Sequence, residues 1–444
     1  MGATRSCGSS LAPDSPVPFW ALIAFTFILF IAPQAYLPML KPLHLALIAA
    51  IVAIGSSVFE RLSRGLPVVV LHRENVLILL LLFWIMITLP LSYWIGGSIQ
   101  ILVGLYLKTL IVYWLLSHVV TTGQRLRRIA WALTLMAIPI ALTALWHFLA
   151  GDFIERGLRP DELRIIGYDA PLTGNPNDLA LTLNLFLPLA VGLFLGSRNP
   201  VRRALLLGCI CLDAVAVIAT FSRGGFLTLC VVCLVYMGIL FRRGYRQLPF
   251  LAMFLALAVL PLLPAGYINR LSTIAHISTD PSGSAQTRWS DTLAAAKYVI
   301  THPVIGAGIG NDKLALNQVR GATWTEVHDA YLEFGVDLGL PGMILFLLLL
   351  RGFLRRGRAA QRRLARKGSD PQQYYLAEGI RVSLIAFCIA AFFHPIAYHF
   401  FFYIFAALAL AVDTMAKSTG PDTGSLGRHL VPMWYVAAPP TPHL

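Results

Sequence analysis

The sequence predicts an all-α integral membrane protein of about twelve transmembrane helices, with one large outer loop between the ninth and tenth. Three observations predict this class. Hydrophobic residues fill 57% of the 444 positions and charged residues only 13%, too little polar surface for soluble domains of that length. Apolar runs such as 76–89, 133–150 and 183–196 recur between short polar breaks. Several approach the ~20 residues that cross a hydrocarbon core as a helix, the form in which a chain satisfies its own backbone in lipid. Finally, clusters of arginine follow every second run, which is the alternation of the positive-inside rule.

Taken in order, the runs place helices near 18–36, 43–59, 75–93, 101–119, 129–149, 178–196, 204–220, 224–240, 248–264, 337–350, 376–394 and 397–415. The basic clusters are Arg61, Arg64 and Arg73; Arg125, Arg127 and Arg128; Arg198, Arg202 and Arg203; Arg242, Arg243 and Arg246; and the dense stretch 351–367, read as a basic loop. They put both termini inside. The first run carries no small-residue cleavage site after it, so it reads as a retained helix. The expected organisation is nine helices over 1–264, an outer loop over 265–336, three helices over 337–416 and an inner tail over 417–444. Because the net charge of +14 lies mostly in short inner loops, it orients the chain and argues against a nucleic-acid partner. Of six cysteines, five fall in apolar segments and none in the large loop, so neither a disulfide framework nor a zinc knuckle is suggested.

A long loop between tightly packed helices is uncommon unless it binds or catalyses, which directs attention to 265–336. Within it Trp289, Leu293, Ala296 and Ile300 recur at helical spacing and predict an amphipathic helix against the membrane, ended by Thr301-His302-Pro303. Gly306, Gly308 and Gly310 imitate a dinucleotide fingerprint but lack its flanking strand and third spacing, and read as a tight turn.

Three outer residues stand out as candidates for chemistry: Arg223 in Phe-Ser-Arg-Gly-Gly, Arg288 in Gln-Thr-Arg-Trp-Ser, and His328 opening His-Asp-Ala-Tyr-Leu-Glu. A guanidinium donates paired hydrogen bonds that match phosphate oxygens, and neighbouring glycines would let a ligand approach the backbone. An imidazole titrating near neutrality can take a proton from a hydroxyl. Each has a plainer reading, since an arginine at a helix end often anchors the interface and a single histidine is often structural. His276 and His302 share the loop with His328, and composition does not choose among them. The string Thr173-Gly-Asn-Pro-Asn-Asp starts the sixth helix, with Asn177 or Asp178 suited to cap it or to face an anion. Lys108, Asp213 and Arg381 lie within or near apolar helices but outline no ion path.

In this order, Asn-Pro-Asn-Asp-Leu-Ala (175–180), Phe-Ser-Arg-Gly-Gly (221–225), Gln-Thr-Arg-Trp (286–289), Pro-Val-Ile-Gly-Ala-Gly-Ile-Gly-Asn (303–311), His-Asp-Ala-Tyr-Leu-Glu (328–333) and Gly-Leu-Pro-Gly (339–342) resemble the O-antigen ligase and polymerase superfamily over about 170–345. Asp329 departs from its usual asparagine and Asp337 from a frequent glutamate. The resemblance implies a metal-independent, cofactor-free, inverting glycosyltransferase of the bacterial inner membrane. It would take a glycan from undecaprenyl pyrophosphate to an acceptor hydroxyl at the periplasmic face, in lipopolysaccharide biosynthesis. On that resemblance Arg223 and Arg288 would hold the pyrophosphate, His328 would act as base, and Asn177 and Tyr331 would contact donor or acceptor. The single dominant outer loop favours a ligase acting on lipid A core over a glycan polymerase or a protein O-oligosaccharyltransferase. A twelve-helix solute transporter is the alternative of another class, but transport predicts related halves and charges at the midplane, whereas the polar motifs here lie in outer loops.

Overall fold

The computed structural model of the protein describes residues 15–151, 153–154, 164–245, 247, 283–366 and 370–418. The predicted helix 248–264, the segment 265–282 with His276, Cys7 and the tail from 419 onward lie outside the described residues. Each of the other predicted runs coincides with a helix. In chain order these are α1 Val17–Ile31, α2 Leu45–Ser63, α3 Arg73–Thr88, α4 Ile95–Val119, α5 Gly123–Ala150, α6 Pro176–Gly196, α7 Pro200–Ala219 and α8 Arg223–Arg242. After the undescribed segment come α9 Ser284–Thr301, α10 Asp312–Arg320, α11 Ala330–Leu364, α12 Pro371–Ala390 and α13 Phe400–Ser418. Between α5 and α6 a two-residue antiparallel bridge pairs Phe153 with Ile165. Among the described residues eight helical segments are long and apolar enough to cross a membrane; α1 is shorter, and α7 and α12 are more polar.

The protein is an all-α integral membrane bundle, and its core follows from which helices are apolar on every side. α13 is buried almost throughout and packs against α4, α11 and α12. α6 is likewise enclosed, by α5, α7, α8 and α12. Without a hydrophobic drive between helices in lipid, close backbone approach supplies the contact energy. At the α6–α12 seam a Cβ on Gly379 would stand 2.4 Å from the Pro188 carbonyl oxygen, and the Ser383 hydroxyl donates to the Leu185 carbonyl at 2.7 Å.

Two boundaries differ from expectation. The tenth transmembrane helix, predicted to stop at 350, runs to Leu364, so most of the basic stretch is helix rather than loop. Arginine, alanine and leucine are strong helix formers. Arg356 also bridges Glu74 of α3 and Asp413 of α13, and Arg363 pairs with Asp413, which ties this extension to the bundle.

At its other end α11 begins at Ala330 but breaks within Gly-Leu-Pro-Gly. Pro341 has no N–H for the carbonyl of Asp337, and Gly339 takes φ 68°, which a side chain resists. Broken helix is tolerated in a membrane only where other protein groups satisfy the freed backbone. Here the 303–310 turn does so: Ala307 N donates to Val336 O and Gly308 N to Asp337 O, each at 2.8 Å, while Leu340 N donates to Pro303 O at 2.8 Å. The Trp84 indole donates to Leu338 O at 2.8 Å, and Gly310 N to the Asp337 carboxylate at 2.7 Å. The three-glycine string is therefore the tight turn that was expected, and its glycines are required by contact. A Cβ on Gly308, at φ +94°, would fall 2.1 Å from the Ser92 hydroxyl.

Candidate active site

The described part of the segment predicted as the outer loop folds as a small unit with its own apolar centre, built from Ala294, Ala295, Tyr298 and Val299 of α9, Ala315 and Leu316 of α10, and Val327. Trp289, Leu293 and Ile300 lie on the opposite, exposed face of α9, as the predicted amphipathic stripe requires. Polar clamps fix the strand of chain leading to His328. Asp291 of α9, buried, binds Arg320 of α10 at 2.5 Å and accepts from the Thr325 hydroxyl at 3.0 Å. Lys313 pairs with Glu326 at 3.0 Å, and Asp312 accepts from Val327 N at 2.7 Å.

His328 follows directly. It does not open the helix, as the sequence suggested; Asp329 is the N-cap, its carboxylate accepting from Tyr331 N at 2.9 Å and Leu332 N at 3.1 Å. Aspartate and asparagine are equivalent at such a position, so the departure at Asp329 leaves the local geometry intact. The imidazole is oriented by its own segment rather than a distant one: Nδ1 lies 2.9 Å from the carbonyl oxygen of Glu326. A carbonyl only accepts, so this contact keeps the proton on Nδ1 and leaves Nε2 with its lone pair. Partial burial, then the Arg288 guanidinium, holds the His328 pKa below the usual histidine range, against a smaller opposing pull from Glu326.

Arg288 sits in the first turns of α9, half-buried, and its charge also reaches His394 in the turn between α12 and α13. Sequence reasoning missed His394. It is fully enclosed, with Nδ1 2.9 Å from Ala390 O and Nε2 3.2 Å from the Asn177 backbone carbonyl. Burial pushes its pKa down to about 4, so at neutral pH the ring is uncharged and donates to one of these carbonyls. The overlooked signal was a histidine directly before Pro395 at the outer end of a predicted helix.

Asn177 connects this group to Arg223. The cap of α6 is Asn175, two residues before the nearer of the expected positions, with Pro176 filling the first helical site, where its missing N–H costs nothing. The Asn177 side chain is thereby released to accept from the Ser222 hydroxyl at 2.9 Å. Ser222 caps α8, accepting from Gly225 N at 3.1 Å, and Arg223 is the next residue, half-buried. Phe221 enters this cap at φ 55°, a conformation unusual for a bulky residue. The two glycines that follow serve packing rather than ligand approach: added Cβ atoms would meet Phe393 Cβ at 2.8 Å from Gly224 and Ala180 Cβ at 2.6 Å from Gly225.

Asn177, Arg223, Arg288 and His328 are thus gathered from four distant segments onto one end of the bundle. Tyr331 joins them, with its hydroxyl committed to Cys388 O at 2.7 Å and its ring against Phe392 at 4.6 Å. His302 stands apart at the far end of α9, stacked on Tyr298 at 4.3 Å. Of the charges singled out within or near apolar helices, Arg381, half-buried, lies beside Glu378, which Arg243 binds, in the basic half of the bundle.

Residues 206–347 match the family model described as O-antigen ligase, a stretch that contains Arg223, Arg288, His328 and Tyr331 and begins after Asn177. A comparison with curated proteins finds no match.

Proposed function

We propose that this chain, which belongs to the O-antigen ligase superfamily through residues 206–347, transfers a glycan from undecaprenyl pyrophosphate to an acceptor hydroxyl at the periplasmic face of the bacterial inner membrane. Lipid A core is the proposed acceptor. The observation that carries the reading is His328 with Nδ1 held by Glu326 O at 2.9 Å, its Nε2 lone pair available, and the Arg288 charge beside it. Such a ring can accept the acceptor's proton as the hydroxyl oxygen bonds to the anomeric carbon. The bond from that carbon to the pyrophosphate breaks with its electron pair on the departing oxygen, where arginine donors neutralise the charge that develops. A single displacement of this kind inverts the anomeric centre. Arg223 and Arg288 are the proposed pyrophosphate ligands, and Asn177 positions Arg223 through Ser222.

Incubating the purified chain with lipid-linked glycan and, side by side, lipid A core, free glycan and protein acceptors tests the reading. Transfer to lipid A core alone is expected; transfer only to glycan would make the enzyme a polymerase, and no transfer to any would sink the proposal. The side of the membrane is tested separately with an impermeant thiol reagent on spheroplasts of a variant lacking native cysteines. A cysteine at exposed Ala322 should react, and one at exposed Arg362, at the basic end of α11, should not. Equal labelling of both would contradict the orientation.

A further inference from the structure

At the end of the bundle away from His328, a cavity of about 310 Å³ opens between α3, α11 and α13, lined by six basic side chains against two acidic ones. The two acids are already paired: Arg356 binds Glu74 and Asp413, and Lys417 binds Asp413 at 2.9 Å. Arg73, Arg351 and Arg355 also line it, are exposed, and have no acidic partner among the described residues. Three unneutralised guanidiniums around one hollow repel one another unless an anion joins them. α3 adds to this field, because it opens at Arg73 with no side-chain cap on its first N–H groups. Positive-inside statistics account for arginines near this level but not for a concave site.

The cavity is not wholly polar. Leu77 and Leu348 form part of its wall, and a turn further into the bundle Leu80 and Ile344 are exposed on the same two helices. α3 and α11 run antiparallel, Glu74 meeting Arg356 at one level and Trp84 meeting Leu338 at another, so these leucines and the isoleucine put an apolar track on the two helices leading away from the arginines. A soluble anion would use the arginines and leave the track empty.

We propose that this cavity is a binding site for an anionic phospholipid, its phosphodiester held by Arg73, Arg351 and Arg355 and its acyl chains lying along the α3–α11 track. The site stands roughly 30 Å from His328, at 1.5 Å of rise per residue along α11, and is separate from the transfer chemistry. Basic pockets between helices suit anionic headgroups by charge, and removing two arginines should weaken such binding roughly tenfold or more.

Native mass spectrometry of the full chain, released from vesicles of equal phosphatidylglycerol and phosphatidylcholine, reads lipid retention directly. The wild type is expected to retain phosphatidylglycerol preferentially, and the Arg351→Gln/Arg355→Gln variant to lose that preference. Arg198→Gln/Arg202→Gln, with the same loss of charge elsewhere, should keep it. Leu348→Trp, which fills the cavity and leaves every charge in place, should lose it and guards against a folding defect in the arginine variant. Equal retention of both lipids by the wild type, equal loss in both arginine variants, or complete displacement by millimolar inorganic phosphate would each overturn the proposal.

Discussion

Replacing Arg288 with alanine is expected to abolish glycan transfer while the protein remains inserted and folded. Arg288 is half-buried on α9, and its charge reaches both His328 and His394, which suits the proposed role of holding pyrophosphate beside a histidine base. Loss of a preorganised donor to a developing charge costs about 10²–10³ in rate where it has been measured in enzymes. Lysine should restore little, because a point charge does not reproduce the paired donors of a guanidinium. Arg223→Ala should behave likewise, since the Ser222 cap and Asn177 hold that residue at the mouth of α8. Turnover of a lipid-linked donor, with membrane insertion checked in parallel, measures the effect; full activity in Arg288→Lys would reduce Arg288 to a cationic anchor. A second consequence is independent of turnover. Arg288 helps hold the His328 pKa down, so Arg288→Ala should raise the pH at which His328 reacts with an imidazole acylating reagent.

The membrane architecture was legible in the sequence because a bilayer imposes run length and charge alternation on every helix, whatever its neighbours. The glycine turn at 306–310 was legible for a local reason too, since the string lacks the flanking strand and the third spacing that a nucleotide fingerprint needs. What escaped was long-range. His394 reaches Asn177 across 217 residues and leaves no periodic trace. The extension of α11 through 351–364 was overlooked because the charge was read for topology and not for conformation; its residues favour helix, and the pairing of Arg356 with Glu74 and Asp413 shows what ties that stretch to the bundle. Capping errors at Asn175 and Asp329 were short-range and avoidable. In each case a side chain with an acceptor oxygen precedes the helix, and the proline at 176 marks the first turn. These shifts of one or two residues matter chemically. They take His328 out of the helix and free the Asn177 side chain for Ser222.

His328→Ala should lower turnover by about 10²–10⁴, the usual contribution of a positioned general base, while donor binding persists. His302→Ala should leave the rate nearly unchanged, since that ring is stacked on Tyr298 at the far end of α9, away from the arginines. The pH dependence carries the sharper test. Only neutral imidazole can accept the proton, and burial together with Arg288 lowers the pKa of His328 below the usual histidine range. Lowering the pKa extends the neutral form to more acidic pH, so the rate should be flat through neutrality and fall only below the usual histidine range. Binding of the proposed pyrophosphate donor would work against this, because a nearby anion favours the imidazolium and raises the pKa. The acid limb of kcat, which reports the donor complex, should therefore sit at higher pH than that of kcat/KM for the donor, which reports the free enzyme. If His328→Ala retained near-normal transfer with the protein folded, the base would have to be another group, and the Glu326 contact that orients this ring would be structural only.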